Sequence, residues 1–113
     1  MYCNQCEQTA QGKGCTKMGV CGKTAPVADI EDVLIYALCG MALFAHQARA
    51  KGIVNREIDR FTMEAVFSTL TNVNFDPERF AVLIRKAVEL RESLKGQVAA
   101  AGGRTDFDHP AAS

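Results

Sequence analysis

Three stretches of the chain repeat apolar residues at the three- and four-residue spacing of a helix that buries one face. In the first, Ile30, Val33, Leu34, Ala37, Leu38, Met41, Ala45 and Ala48 recur at that interval. Asp29 suits the N-cap, Glu31 and Asp32 place negative charge where the helix dipole favours it, and Gly52 supplies a stop. This predicts a helix from Asp29 to about Lys51. Ile35, Tyr36, Cys39 and Leu43 make its other faces apolar too, so it is expected to be covered on more than one side, by the preceding cysteine-rich segment or by another protein surface.

Asn55 is placed to cap a second helix that carries Ile58, Phe61, Ala65, Val66 and Leu70. Thr62, Thr69 and Thr71 are mediocre helix formers, so a break is expected near Thr62. After a turn at Asn72-Val73-Asn74-Phe75, the run Asp76-Pro77-Glu78 combines a capping side chain, a proline whose missing N–H is harmless in the first turn, and an acid that meets the dipole. A third helix follows, with Phe80, Leu83, Ile84, Ala87, Val88, Leu94 and Val98 on one stripe and Gly102-Gly103 at its end. Residues 28–103 are therefore expected to form an all-α, antiparallel three-helix bundle. Residues 104–113 show no periodicity, and Pro110 argues against helix, which reads as an irregular tail or truncated linker.

Residues 1–27 have no such pattern. They hold four of the five cysteines, four of the nine glycines and three lysines, with few aliphatic side chains. Burial of those few contributes about a few kcal/mol at most, whereas fixing each backbone residue costs roughly 1 to 2 kcal/mol. Something other than oil must order this segment, and a metal centre can do so.

The totals narrow the setting. A length of 113 residues allows one ordinary domain. Thirteen basic and thirteen acidic side chains cancel, so no net field draws nucleic acid or a lipid surface, and neither is expected as a partner. The opening Met1-Tyr2-Cys3-Asn4-Gln5-Cys6 has neither the basic start nor the apolar stretch of a signal peptide, which leads to a cytoplasmic expectation. Disulfides are disfavoured there, and metal or redox chemistry becomes the first reading of the cysteines. The longest run free of charged residues and histidine, Val33 to Ala45, has 13 residues, while a membrane span needs about 20.

Cys3, Cys6, Cys15 and Cys21 follow the spacing C-x2-C-x8-C-x5-C. The close pair can reach one centre from a tight turn, and the longer gaps let the chain wrap round it. Glycines allow amide N–H groups to approach sulfur, and Lys13, Lys17 and Lys23 can offset the negative charge of a thiolate-ligated cluster, with Glu7 the sole acid nearby. Four thiolates also suit structural zinc, although zinc ribbons present two C-x2-C knuckles and this segment has one. The spacing differs from the ferredoxin patterns as well, so cluster and zinc both stand on spacing alone.

Tyr2-Cys3-Asn4-Gln5-Cys6-Glu7-Gln8-Thr9-Ala10, Gly14-Cys15-Thr16, Gly19-Val20-Cys21-Gly22-Lys23 and Phe67-Ser68-Thr69-Leu70-Thr71-Asn72-Val73-Asn74-Phe75-Asp76 narrow that choice. Together they resemble the amino-terminal domain of the hybrid cluster proteins, also called prismane proteins or hydroxylamine reductases, in one register over nearly the whole chain. The resemblance implies that Cys3, Cys6, Cys15 and Cys21 ligate a cubane [4Fe-4S] cluster, since members with this close spacing carry that type and members with wider gaps carry a two-iron cluster. Residues 1–27 then become an iron-sulfur-binding loop preceding the bundle.

The resemblance also implies an electron-transfer role. In the family the cubane feeds a second, iron-sulfur-oxygen hybrid cluster, where hydroxylamine is reduced to ammonia or nitric oxide to nitrous oxide. The ligands of that hybrid cluster come from later domains, and family members are several times longer. No residue here is assigned to it, no catalytic residue is named, and enzyme activity is not assigned to this chain alone. The expected partners are a redox donor protein and the remaining domains of a longer hybrid cluster protein. The alternative is a zinc-stapled helical interaction module that offers the apolar surface of its first helix to a partner.

The other chemically notable residues have plainer readings. Cys39, between Leu38 and Gly40, reads as a small core hydrophobe. Met41 and Phe44 read as core, His46 as packing or surface, and His109 carries no assigned role. The run from Glu89 to Lys95 alternates charge as a solvated helix face does. No phosphate-binding glycine motif, Ser/His/Asp set or H-E-x-x-H occurs.

Overall fold

A computed structural model describes residues 1–70 and 76–112. It contains three long helices, α1 (Ala25–Ala50), α2 (Arg56–Leu70) and α3 (Pro77–Ala100). Among the described residues there is no strand, and the all-α bundle expected from the periodicity is what forms. The predicted turn at Asn72-Val73-Asn74-Phe75 lies outside the described residues.

The helix ends follow from local chemistry. Lys51 and Ala101 close α1 and α3, and Gly52 and Gly102 come next with φ of 77° and 75°. Gly52 N–H donates to the Arg49 carbonyl and Ile53 N–H to Ala48; Gly102 and Gly103 repeat the pattern on Ala99 and Val98. Both ends are thus Schellman motifs, in which the left-handed residue turns the chain back over its own last carbonyls. At the start of α3 the Asp76 carboxylate accepts from Glu78 N–H at 3.0 Å, with Pro77 in the first turn. Asn55 Oδ1 accepts from Ile58 N–H at 3.3 Å at the start of α2.

Two expectations about boundaries are corrected. α1 begins at Ala25, four residues before the expected cap Asp29, because Pro26 fits a first helical turn and Thr24 supplies the carbonyl for Ala28 N–H. α2 does not break at Thr62, whose hydroxyl donates to the Ile58 carbonyl at 2.7 Å and so stays compatible with a continuous helix.

The helices run up, down and up. Arg91 of α3 lies beside Gly40 of α1, Lys95 beside Phe44, and Gly103 beside Lys51, so α1 and α3 run parallel along the main interface. α2 runs the opposite way, with Asp59 near its start paired to Arg49 at 2.6 Å and Thr69 near its end against Lys23. The core is a column of Leu34, Met41, Phe44, Phe80, Ala87, Leu94 and Val98, closed by Ile58, Phe61 and Ala65 of α2.

Residues 104–112 fold back along α1. Phe107 packs edge-on against Phe44 with ring centroids 5.2 Å apart, and the 3-10 turn Pro110–Ala112 buries Ala111 and Ala112. Arg91 donates to the Ala111 carbonyl at 3.0 Å, and the His109 Nδ1 accepts from Ala111 N–H at 3.0 Å. Gly40 allows this docking, since a Cβ there would overlap the Ala111 carbonyl oxygen. Gly40→Val should therefore release residues 104–112 and cost about 1 to 3 kcal/mol. Chemical denaturation, with hydrogen exchange at Ala111 and Ala112, measures this; unchanged stability and protection would mean that the close passage is not maintained in solution.

Candidate metal centre

The amino-terminal segment is organised by its backbone. Cys3 N–H donates to the Cys15 carbonyl at 2.9 Å and Cys15 N–H to the Cys3 carbonyl at 2.8 Å, forming an isolated antiparallel bridge. In such a mutually bonded pair both side chains leave from the same face. The bridge therefore sets two thiols side by side although twelve positions separate them in sequence. The Tyr2 hydroxyl donates to the Lys13 carbonyl at 2.8 Å and its ring lies over Gly14, where any side chain would collide with it. A 3-10 turn at Ala10–Gly12 then brings Ala10 N–H to within 3.4 Å of Cys15 Sγ.

At Cys15 the electrostatics favour the ionised form. Backbone N–H groups of Ala10 and Val20 hold the Cys15 thiol below its ordinary range, outweighing burial, and Lys23 adds a further positive charge. The Lys23 ammonium is buried. It lies 3.4 Å from Cys3 Sγ, 2.5 Å from Glu31 Oε2 and 3.0 Å from the Thr69 carbonyl oxygen. Burial pushes its pKa down, but Glu31 and Cys3 more than compensate, and the net direction is up. Glu31 also shifts up, because the cost of burying its charge exceeds what Lys23 returns.

The four cysteines are placed unequally. Cys15 is buried, Cys3 half-buried, and Cys6 and Cys21 exposed. Cys21 Sγ lies beside Gly19, 3.1 Å from where a Cβ would stand. Among the described residues no three Cys, His, Asp or Glu side chains converge as metal ligands, so the four thiols do not form a preassembled sphere. The chemistry of the donor set is nonetheless that of a thiolate site: soft sulfur donors, N–H groups on sulfur and one buried ammonium.

Cys39 departs from its core reading. It is exposed, on the side of α1 that also leaves Val33 and Tyr36 uncovered. Cys39→Ala should leave metal content unchanged and stability within about 0.5 kcal/mol; loss of metal would show that the ligand set has been misassigned. His46 is exposed, in line with the surface reading. Glu31 is the residue whose part sequence reasoning missed. It reads as a first-turn acid, yet it is 1 % exposed. The signal was its position four after Val27 and three before Leu34, on the apolar stripe itself.

Comparison with known proteins gives a consistent picture. A family model described as the Prismane/CO dehydrogenase family matches residues 1–110. A protein named hydroxylamine reductase from Syntrophobacter fumaroxidans is 60% identical over the whole chain, which covers 21% of that relative. Proteins of the same name from Methanocella arvoryzae and Desulfitobacterium hafniense are 54% and 52% identical over 98% and 91% of this chain. The chain spans about a fifth of the length of these curated relatives.

Proposed function

The chain belongs to the Prismane/CO dehydrogenase family, and from that premise we propose that it is an electron-transfer module holding a [4Fe-4S] cluster through Cys3, Cys6, Cys15 and Cys21. The observation that carries the reading is the Cys3–Cys15 bridge, which aligns two thiols on one face under an N–H donor and a buried ammonium. When bound, such a cluster supplies reversible one-electron uptake and release.

The residues of the chain then have defined work. Four thiolates hold the iron, Ala10 N–H donates to Cys15 Sγ, and Lys23 offsets negative charge at Cys3. α1 and the end of α2 anchor the Lys23 ammonium, while the apolar core holds those elements still. No side chain is assigned to bind a substrate. In a longer protein like the relatives, an external redox protein would donate electrons, and domains beyond these residues would receive them for reduction of hydroxylamine. Function in the cytoplasm is part of the same proposal; among the described residues no helix is long and apolar enough to cross a membrane.

Anaerobic purification tests the reading. The expected product is brown, bleaches with dithionite and holds roughly four iron and four sulfide per chain. Colourless protein with a single bound zinc would overturn it in favour of the zinc-stapled interaction module.

A further inference from the structure

Lys23 and Glu31 form the one ion pair of the described residues with both partners buried, at 2 % and 1 % exposure. Such a pair is an unpromising way to stabilise a fold, because desolvation offsets most of the attraction and an apolar pair of similar volume does as well or better. Glu31 nevertheless occupies a core stripe position between Val27 and Leu34, where leucine would pack. Among the described residues neither Glu31 oxygen has a well-formed hydrogen bond, so its charge depends on the contact with Lys23. A lysine side chain has four flexible carbons and, unheld, turns its ammonium to water. Here Glu31 from α1 and the Thr69 carbonyl from α2 hold it in, and the group they hold is against Cys3 Sγ.

We propose that Glu31 is a positioning residue for the cysteine site: it retains the Lys23 ammonium against the Cys3 sulfur and so raises the reduction potential of the cluster. This rests on the iron-sulfur reading above. Reduction adds one electron from an external donor to the cluster, with no bond to these side chains made or broken. A fixed positive charge in a poorly solvated site favours that added negative charge far more than a solvated one does. Lys13 and Lys17 are exposed and do not share the effect. Glu31 itself is negative, so two roles predict opposite signs. If it merely screened Lys23, its neutralisation would raise the potential; if it holds the ammonium in place, neutralisation releases Lys23 to water and the potential falls.

The test compares wild-type chain with Lys23→Met, Glu31→Gln and Lys13→Met by anaerobic redox titration of the reconstituted cluster. Lys23→Met and Glu31→Gln should both shift the potential downward, and Lys13→Met should leave it unchanged. Should Lys23→Met fail to fold, the pair Lys23→Met with Glu31→Leu strands no buried charge and should still shift the potential downward, by less, because the negative charge of Glu31 goes with it. A second readout needs no cluster: in reduced, metal-free protein, a water-soluble acetylating reagent should label Lys23 far less than Lys13 and Lys17, and Glu31→Gln should bring Lys23 to their level. An upward or absent shift in Glu31→Gln, or continued protection of its Lys23, overturns the positioning role. Wild-type protein that takes up no iron overturns this role together with the iron-sulfur reading, and is recognised before any variant is compared.

Discussion

Replacing Cys15 with serine should lower iron bound per chain by more than about tenfold, since even partners one shell outside a metal cost 10- to 100-fold in affinity. Of the four proposed ligands, Cys15 is the most enclosed, at 4 % exposure, and its sulfur receives the Ala10 backbone N–H. Serine keeps that geometry. The two hydrogen bonds to Cys3 use only main-chain atoms, so the bridge can still form in the variant. What is lost is the sulfur: a hydroxyl stays protonated near neutral pH and is a hard donor, unsuited to iron in a sulfide cluster. Because metal affinity and folding are coupled, hydrogen exchange in residues 1–27 should accelerate toward the rate of unstructured chain, while the middle of α1 and α3 stays protected. Full iron content in the serine variant would remove Cys15 from the ligand set.

The same dependence explains which parts of the molecule could be read from residues alone. Asp76-Pro77 and the glycines at 52 and 102 act on the backbone within a few residues of themselves, and the boundaries they announce are the ones observed. α1 starts before Asp29 because Pro26 suits a first helical turn, and a capping side chain is a weaker signal than four more residues of helix packing. Around α1 the apolar pattern is nearly continuous, so its buried side could not be phased: Val33, Tyr36 and Cys39 face out while Phe44 and Glu31 are enclosed. Residues 104–112 carry no period at all, and their docking depends on Phe44, Gly40 and Arg91, which lie far away in sequence.

In the cysteine segment, the spacing offers four proposed donors without showing how they meet. Cys3 is bridged to Cys15 rather than to its near neighbour Cys6, a tertiary pairing set by turns at Ala10–Gly12 and by Tyr2 over Gly14. Lys23 was legible as one of three cations. Its distinction from Lys13 and Lys17 comes from Glu31 and Thr69, which belong to helices that pack only in the finished fold.

Phe44→Ala should destabilise the bundle by about 3 to 5 kcal/mol, the range for emptying a fully enclosed aromatic site. Phe44 is 0 % exposed on α1, and two neighbours depend on it. Phe107 meets its ring at 82°, the edge-to-face arrangement that adds about 0.5 to 1.5 kcal/mol beyond buried area. The Lys95 ammonium of α3 lies 6.0 Å from the ring centroid, at the outer limit of a useful cation–π contact. Alanine therefore opens a cavity at the α1–α3 interface and removes the anchor of the returning chain end together. For a domain near this size each kcal/mol moves the melting midpoint by roughly 4 to 8 °C, so the fall should be on the order of 20 °C. Thermal and urea denaturation of wild type, Phe44→Ala, Phe107→Ala and the double variant separates the two contributions. If the ring pair holds residues 104–112, the double variant should lose less than the sum of the singles. Strict additivity would show that Phe44 supports the bundle without holding the chain end, and a loss below about 1 kcal/mol would mean that the site collapses around the smaller side chain.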